Sequence, residues 1–382
     1  MTSVKHPKIS VLGAGDIGCA LAHMICEKNL GDVVLHDFRK VNKHMGMEQG
    51  ATNGFPFLFS IALDGVPDSY GVLVPPSLTL FCSPVSICYL PKGRALDILH
   101  TRPINRSRIN ILGTNEITDI KDSLVVVVTI EVSEREFAEF DEEDIEKQVY
   151  TSNVKLLKDI SKSIKKHCPQ AFVVVTTSPV DCMAKVLQEN ANIPSHKICG
   201  MAGVLHSARL RHNLAEKLRV NPGDVQGFVI GAHGDKMVPL PRYCCVNGIP
   251  LHDFTKKGAI TEKEINQIVE KTRNTGLELL ELLPEGSACF APSLAIVEII
   301  EAYLKDLKRV LVCSVPLNGQ YGHKGVFAGV PVVIGGKGIE KIIELDLNAQ
   351  EKDLFDDSLK HISYLFENYK HEAVVDEEAK PN

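Results

Sequence analysis

A glycine-rich turn between two short apolar runs is the feature that most constrains the fold of this chain. Residues 9–12 lead directly into Gly13, Gly15 and Gly18, in the spacing G-x-G-x-x-G, and a second apolar run ends at Asp37. This order of apolar run, glycine turn, helix, second run and acidic residue is typical of a dinucleotide-binding βαβ unit. The glycines allow a tight turn, close approach of a pyrophosphate and close packing of the helix.

The residues around the turn indicate which dinucleotide is bound. The following helix is predicted to start near Ile17, with Asp16 beside it, and its unpaired N–H groups favour a phosphate. Asp37 lies at the tip of the second strand, where a carboxylate binds a ribose 2′-hydroxyl and repels a 2′-phosphate. This pattern predicts NAD as the cofactor, although Arg39 and Lys40 leave NADP open.

Composition narrows the class of protein. The 382 residues suffice for two hydrophobic cores, and the formal net charge of −6 argues against nucleic acid or an anionic membrane as the main partner. No apolar secretory segment precedes the first strand. The 11 cysteines are scattered without a C-x-x-C pair, so we expect neither a metal site nor a disulfide framework. These features predict a cytoplasmic protein.

The alternation of strands and helices is interrupted once. Residues 41–89 are poor in charge, rich in Gly, Pro, Phe and Ser, and lack a helical or strand period. We interpret them as an irregular insertion, or alternatively as a mispredicted gene segment. Apolar runs at 109–112, 124–129 and 171–177, with a helical pattern at 145–167, then predict a doubly wound parallel sheet.

From about residue 200 the pattern changes to longer helices mixed with short strands. Helices are predicted at 205–218, 261–283, 292–305 and 350–369, and short strands at 310–314 and 332–334. We therefore predict an α/β protein, with a Rossmann domain over 1–199 and an α+β substrate domain over 200–370. The acidic end, 371–382, is predicted to be a disordered tail.

A histidine between two glycines is the clearest candidate for catalysis. His233 lies in the sequence GAHGD, which follows an apolar run, and the flanking glycines leave its backbone uncrowded. An imidazole in such a turn can point into a cleft and exchange a proton near neutral pH. Because hydride transfer to a carbonyl needs a proton donor, we predict that role for His233.

Six segments spread over the chain carry a family resemblance. They are GAGDIG at 13–18, ICGMAGVLHSARLR at 198–211, GAHGDKMVPL at 231–240, AYLKDLKRVLVCS at 302–314, GQYGH at 319–323 and VPVVIGGKGIEKIIEL at 330–345. Together they resemble the lactate/malate dehydrogenase superfamily, and within it the lactate dehydrogenases of apicomplexan parasites. The resemblance implies an NAD-dependent 2-hydroxy acid dehydrogenase that acts on a small 2-oxo or 2-hydroxy acid and assembles as a homotetramer.

The resemblance also implies roles for individual residues. His233 matches the proton donor to the substrate carbonyl, and Arg209 matches the arginine that binds the substrate carboxylate through a bidentate fork. Thr176 and Ser178 match the segment that contacts the nicotinamide ribose. The glycine turn and Asp37 match the family's cofactor-binding positions.

Three positions depart from the family pattern. His206 stands where the family has the aspartate that orients the catalytic histidine, and a second imidazole cannot hold that histidine's proton as a carboxylate does. The substrate loop, within 131–147, is strongly acidic, and Glu142 stands where the family has an arginine. Ser178-Pro179 replaces the family's Asn-Pro, which we expect to be a mild loss.

These departures leave more than one function open. The favoured interpretation is an NAD-dependent dehydrogenase of the L-lactate type, because His233 and Arg209 are present. The alternatives are a malate dehydrogenase, or an NAD-binding or assembly protein with impaired catalysis. His206 and the acidic loop favour the last of these.

Overall fold

The structure is a computed structural model, and most of the chain can be described from it. The described residues are 6–38, 90–132, 142–283 and 287–370, without the side chains of 142–144, 146 and 368–370. The predicted insertion at 41–89 and the predicted tail at 371–382 lie outside the described residues. All described residues belong to one compact unit by their contacts.

Apolar runs rich in valine form the parallel half of a large sheet. Its strands are β1 (Lys8–Leu12), β2 (Asp32–His36), β3 (Ile111–Thr114), β4 (Val125–Val128), β5 (Phe172–Val175) and β6 (Ile198–Gly200). They are ordered β3-β2-β1-β4-β5-β6, and the strand order reverses between β1 and β4. Both β4 and β5 are buried along their whole length, as expected for strands covered on both faces. The reversal point leaves a crevice at the carboxyl ends of β1 and β4.

The predicted helices form, and their ends differ from the prediction by at most three residues. The α-helices of the described residues are α1 (Asp16–Glu27), α2 (Leu90–Asn105), α3 (Glu142–His167), α4 (Val180–Ala191), α5 (Gly203–Leu218), α6 (Leu251–Lys256), α7 (Glu262–Leu282), α8 (Phe290–Leu304) and α9 (Ala349–Lys370). No helix in these ranges is long and apolar enough to cross a membrane.

The sheet continues beyond its parallel half. The remaining strands are β7 (Val225–Gln226), β8 (Val229–Gly231), β9 (Met237–Pro239), β10 (Cys245–Val246), β11 (Ile249–Pro250), β12 (Arg309–Asn318), β13 (Lys324–Gly335) and β14 (Gly338–Ile342). Strand β12 joins β6 in antiparallel pairing, and β13, β8 and β9 follow, with β14 on β13. Strands β7, β10 and β11 form a separate small sheet.

The long β12–β13 hairpin corrects the prediction of two short strands. Only 310–314 and 332–334 were expected, whereas the strands extend over 10 and 12 residues. Pro316, Gly329 and Pro331 lie inside them and weaken the strand pattern in the sequence. Their antiparallel pairing nevertheless runs from Arg309 opposite Ile334 to Asn318 opposite Lys324, with one irregularity.

Two clusters of buried apolar side chains hold the elements in place. The larger cluster lies on both faces of the large sheet and includes residues of α1, α4, α8 and α9. The smaller cluster joins α5 to α7 and the small sheet, through side chains such as Leu210, Leu214, Ile265 and Ile268. Helix α5 is therefore fixed on one side by β8 and β12 and on the other by α7.

Candidate active site

The glycine turn is closed so tightly that side chains are excluded from it. Gly13 has φ +123°, and a Cβ there would lie 2.6 Å from Thr129 Oγ1 and 2.8 Å from Ile130 N. A Cβ on Gly18 would lie 1.8 Å from the carbonyl oxygen of Gly13. Gly15 is the N-cap of α1, which begins at Asp16. The bare backbone and the amino end of α1 thus face the crevice between β1 and β4, as an approaching pyrophosphate requires.

The acidic residue at the end of β2 is tied to this turn. Asp37 is buried, and its Oδ2 accepts a hydrogen bond of 2.9 Å from the backbone N–H of Ala14. Asn115 donates a hydrogen bond of 2.9 Å to the Asp37 carbonyl oxygen. Asp16 is exposed and Ile17 half-buried, and the Ile17 carbonyl oxygen accepts a hydrogen bond of 3.0 Å from Ser293 of α8. The elements that carry the predicted cofactor-binding residues are therefore locked together.

The segment after β5 is held by a residue that the sequence did not indicate. Asn153 of α3 is buried and donates through Nδ2 to the carbonyl oxygen of Ser178, at 2.9 Å. Its Oδ1 accepts from the backbone N–H of Val132, at 2.8 Å. Thr176 is buried and donates through Oγ1 to the Val128 carbonyl oxygen, at 3.1 Å. Ser178 donates its backbone N–H to a carboxylate oxygen of Glu131, at 3.2 Å.

Two histidine rings meet at the centre of the site. His206 Nε2 lies 2.9 Å from His233 Nδ1, and the ring centroids are 4.6 Å apart. His206 is buried on α5, and His233 is half-buried in the turn after β8. Burial, and next the positive charge of Arg209, lowers the pKa of His233 to about 4. Burial is also the main cause that lowers the pKa of His206 well below its usual range, followed by His233 and Arg209. Both rings are therefore neutral at pH 7.

Arg209 lies one turn after His206 on the same face of α5, since the two residues are three apart. It is half-buried, and burial lowers the pKa of its guanidinium. A Cβ on Gly276 of α7 would lie 3.9 Å from Arg209 Nη1, so this glycine leaves room for the guanidinium. Arg209 has no hydrogen bond or ion pair with any described residue. An anion that reached this guanidinium would meet a positive charge that no described residue compensates.

The backbone of the histidine turn is fixed from two other helices. Asp181, near the start of α4, accepts a hydrogen bond of 2.8 Å from the backbone N–H of His233 and another from Ser314 Oγ. Ser358 of α9 accepts a hydrogen bond of 2.7 Å from the N–H of Ala232. Burial raises the pKa of Asp181 to about 6. The Asp181 carboxylate therefore supports the backbone of the turn, whereas the ring nitrogen Nδ1 of His233 bonds His206.

The structure brings some of the predicted site residues together and does not describe others. His206, Arg209 and His233 converge, and Gly13, Gly18 and Asp37 converge in the crevice. Residues 133–141 of the acidic loop lie outside the described part, and Glu142 is described only as the first residue of α3. Within the described residues, no group of three or more His, Cys, Asp or Glu side chains is placed to hold a metal ion.

Asp181, Ser314, Ser358 and Asn153 are site residues that sequence reasoning missed. Asp181 follows Ser178-Pro179 at the start of α4, and its position there was the signal available for it. Asn153 and Ser358 form hydrogen bonds to backbone groups far away in the chain, and Ser314 donates to the side chain of Asp181. The sequence carries no local pattern for any of these contacts.

The site has two parts: a dinucleotide-binding turn at the switch point of a doubly wound sheet, and the imidazole of His233 with the guanidinium of Arg209. Together they define the class of an NAD-dependent oxidoreductase. Comparison of the chain with known protein families agrees with this class. Residues 84–200 match the lactate/malate dehydrogenase NAD binding domain, and residues 204–373 match the lactate/malate dehydrogenase alpha/beta C-terminal domain. The chain belongs to the lactate/malate dehydrogenase family.

Solved structures with similar folds include both kinds of enzyme. Malate dehydrogenase from Cryptosporidium parvum is 36% identical, with a TM-score of 0.79, and the match covers 96% of this chain and 99% of that one. Lactate dehydrogenase from Eimeria maxima, solved with NADH and oxamate, is 35% identical, with a TM-score of 0.81 and coverage of 100% and 99%. Lactate dehydrogenase from Cryptosporidium parvum, solved with lactic acid and the NAD cofactor, is 34% identical, with a TM-score of 0.79 and coverage of 96% and 99%.

NAD is the cofactor of this family, and the residues present here fit it. The fit rests on the cradle formed by Gly13 and Gly18, where a Cβ would fill the space next to the turn, and on the amino end of α1. Relatives at nearly equal identity include lactate and malate dehydrogenases, so the family assignment leaves the substrate open.

Proposed function

We propose that this protein is an NAD-dependent 2-hydroxy acid dehydrogenase that interconverts L-lactate and pyruvate. The observation that carries the proposal is the half-buried Arg209, without an anionic partner in the described residues, next to His233. A guanidinium in such a pocket suits a substrate carboxylate, and the neighbouring imidazole suits the substrate oxygen. The cofactor, when bound at the glycine turn, supplies or accepts the hydride.

Each residue has a distinct task in this reaction. Arg209 binds the carboxylate through two parallel N–H···O hydrogen bonds and so fixes the position of the 2-carbon. His233 uses its Nε2, since its Nδ1 is occupied by His206, and it exchanges the proton of the 2-hydroxyl oxygen. Asp181 and Ser358 hold the backbone of the histidine turn and so position the ring.

The choice of a substrate with one carboxylate follows the family resemblance to lactate dehydrogenases. Among the described residues, Arg209 is the one cation whose charge acts on His233, and it can bind one carboxylate. The second carboxylate of oxaloacetate or malate would need a further cation, and most of the substrate loop, residues 133–141, lies outside the described residues. Malate dehydrogenase remains the alternative substrate assignment, and steady-state rates of NADH oxidation with pyruvate and with oxaloacetate distinguish the two.

A second candidate is an NAD-binding protein with impaired catalysis. The pairing of His233 with His206 favours it, because the His233 ring bonds an imidazole and, among the described residues, no carboxylate that would stabilise an imidazolium. Loss of an orienting acid lowers acid–base catalysis by about 10²–10⁴-fold. This candidate predicts NADH binding without measurable oxidation by either 2-oxo acid.

The substitution Arg209→Gln tests the proposed carboxylate site. We expect kcat/KM for pyruvate to fall by about 30-fold or more, since truncating a buried charged contact costs about 2–5 kcal/mol. NADH affinity, measured by the quenching or enhancement of its fluorescence, should not change. Arg108→Gln is the matched control, because Arg108 is exposed between α2 and β3. Equal activity of the two variants would exclude Arg209 as the carboxylate site.

We also propose that the protein is cytoplasmic and forms a homotetramer, as the family resemblance implied. Apolar side chains at the end of α7 and the start of α8 support association: Leu277, Leu282 and Phe290 are 61%, 68% and 75% exposed. Exposed apolar groups of this kind occur at subunit contacts. Light scattering coupled to gel filtration measures the mass of the assembly and tests the proposal.

A further inference from the structure

One buried atom of the histidine pair has no task in the proposed reaction. His206 Nδ1 is buried, and it has no hydrogen-bond partner among the described residues. The other nitrogen of the same ring, Nε2, lies 2.9 Å from His233 Nδ1. A buried ring nitrogen without a partner constrains the protonation of its ring. The reason is that burying an unpaired N–H and burying an unpaired lone pair differ in free energy.

A neutral pair of imidazoles holds two ring protons, and the bond between the rings allows two arrangements. In the first, His206 Nε2–H donates to His233 Nδ1, so the second proton is on His233 Nε2. In the second, His233 Nδ1–H donates to His206 Nε2, so the second proton is on His206 Nδ1. The two arrangements present opposite chemistry to a substrate: an N–H donor in the first, and a lone pair in the second.

The burial of His206 decides between the arrangements. The second arrangement places an N–H at the buried Nδ1, where no described residue accepts it. In proteins, a buried N–H group without an acceptor is rarer and costs more free energy than a buried acceptor without a donor. The first arrangement leaves only a lone pair there, and it gives both rings the Nε2–H form, which is the more stable form of a free histidine side chain.

We propose that His206 is a positioning residue that fixes the tautomer of His233, so that His233 presents an Nε2–H donor to the substrate oxygen. The site is then prepared to bind the carbonyl oxygen of a 2-oxo acid, which is an acceptor. It is not prepared to remove the proton of a 2-hydroxy acid, because that step needs a lone pair at His233 Nε2. This inference rests on the proposed function for the identity of the ligand, but not for the tautomer itself.

The proton balance shows why the resting pair is slow in the oxidative direction. To accept a hydroxyl proton at His233 Nε2, the pair must first lose the proton already there and gain one at His206 Nδ1, while the proton between the rings moves from His206 Nε2 to His233 Nδ1. The hydroxyl proton then moves to His233 Nε2, and the pair becomes a cation with its positive charge shared between the rings. The rearrangement needs two transfers with solvent, and it passes through the disfavoured buried N–H.

Nitrogen NMR of the full-length protein with ¹⁵N-labelled histidine tests the tautomer directly. At pH 7.5 we expect His206 to show a protonated Nε2 and an unprotonated Nδ1, and His233 to show a protonated Nε2 and an unprotonated Nδ1. His206→Asn removes one set of resonances and assigns the pair. A protonated Nδ1 on His206 would overturn the inference, whether or not the protein has dehydrogenase activity.

Substitutions at residue 206 test the consequence for catalysis. His206→Asp offers only an acceptor to His233, so at pH 9 the proton of His233 should move to Nδ1 and the lone pair to Nε2. We expect kcat for L-lactate oxidation to rise at least 10-fold, with little change in the KM for NAD. His206→Asn, of matched size, can donate or accept, and should give a smaller rise.

The outcomes separate this inference from the proposed function. If the resonances of His233 do not move in His206→Asp, His206 does not fix the tautomer and the inference fails. If they move as expected while neither protein oxidises lactate or malate, the tautomer inference stands and the proposed dehydrogenase function fails. Equal rates of lactate oxidation in the Asp and Asn variants, with unequal tautomers, would contradict the catalytic consequence.

Discussion

The charge of His233 determines how the site responds to pH. Burial and the nearby Arg209 lower the pKa of His233 to about 4, and the facing groups are His206 and Arg209 of α5 and the backbone-bound Asp181 of α4. In the proposed reaction, reduction of a 2-oxo acid consumes a proton through this ring, so only the protonated fraction of His233 is competent. Above pH 4 that fraction falls about tenfold with each pH unit.

We therefore expect kcat/KM for pyruvate reduction to rise about tenfold per unit as the pH falls from 8 to 5. Initial rates of NADH oxidation over this range, corrected for acid decay of NADH, measure the profile. His206→Asp should move the break in the profile to a higher pH, since a carboxylate stabilises the imidazolium. A break near 6.5 in the unmodified protein would mean that His233 titrates as an ordinary exposed histidine.

Asp181 allows a second prediction at the scale of a single residue. Asp181→Ala leaves the His233 backbone N–H and the Ser314 hydroxyl without their acceptor, and we expect a loss of about 1–3 kcal/mol in the free energy of unfolding. Asp181→Asn keeps an acceptor and should lose less. Urea unfolding followed by circular dichroism measures both variants, and equal loss in the two would contradict the assigned hydrogen bonds.

The pH dependence of stability gives a check on the same carboxylate. Burial raises its folded-state pKa to about 6, from an ordinary value of 3.8, so the folded state binds the extra proton between these values. The Asp181 contribution to stability is present in full below pH 3.8 and is lost as the pH rises through 6. Asp181→Asn should remove this contribution, which unfolding curves at pH 5 and pH 7 would show.

At the scale of the element, the glycine turn depends on the contact between its first and third glycines. Gly18→Ala places a Cβ 1.8 Å from the Gly13 carbonyl oxygen, so α1 must move away from β1. We expect weaker NADH binding, by at least 10-fold, and a lower melting temperature. Gly93→Ala in α2 is the matched control, since its Cβ meets nothing within 4 Å, and it should stabilise the helix by about 0.5–1 kcal/mol. Unchanged NADH affinity in Gly18→Ala would contradict the fit of the cofactor to this turn.

Elements with a clear period were predictable from the sequence, and those without one were not. The valine runs became β4 and β5 because strands covered on both faces need continuous apolar sequence. The β12–β13 hairpin was only partly recognised, because Pro316 and Pro331 are tolerated where strand pairing does not need their N–H. Its junction with β6 depends on tertiary pairing at Ser314 and Gly200, which no local pattern predicts.

The residues of the candidate site also fall into those that the sequence predicted and those that it did not. His233 and Arg209 could be named because each stands within a recognisable segment. Asp181 and Asn153 could not be named from the sequence, because they bond backbone groups that are distant in the chain. Many other polar residues of the sequence could form such bonds equally well. The 2.9 Å contact of His206 with His233 was implied only by a family resemblance, and its protonation depends on burial that the sequence does not reveal.

At the scale of the whole molecule, cofactor binding should stabilise the fold. A ligand at 100 times its Kd adds about 2.7 kcal/mol to the free energy of unfolding. We expect NADH to raise the melting temperature, and NADPH to raise it less at equal concentration, because Asp37 at the end of β2 repels a 2′-phosphate. Differential scanning fluorimetry with both cofactors measures this, and an equal shift would contradict the selectivity assigned to Asp37.

The half-buried guanidinium of Arg209 has a consequence for the lifetime of the protein. A positive charge that is partly removed from water, with no counter-ion among the described residues, destabilises the empty fold, and an anion that binds there removes the penalty. Starvation for the metabolite would then leave more molecules transiently unfolded and open to proteases. The abundance of the protein in its cell would follow the supply of the anion it binds, with no dedicated sensor.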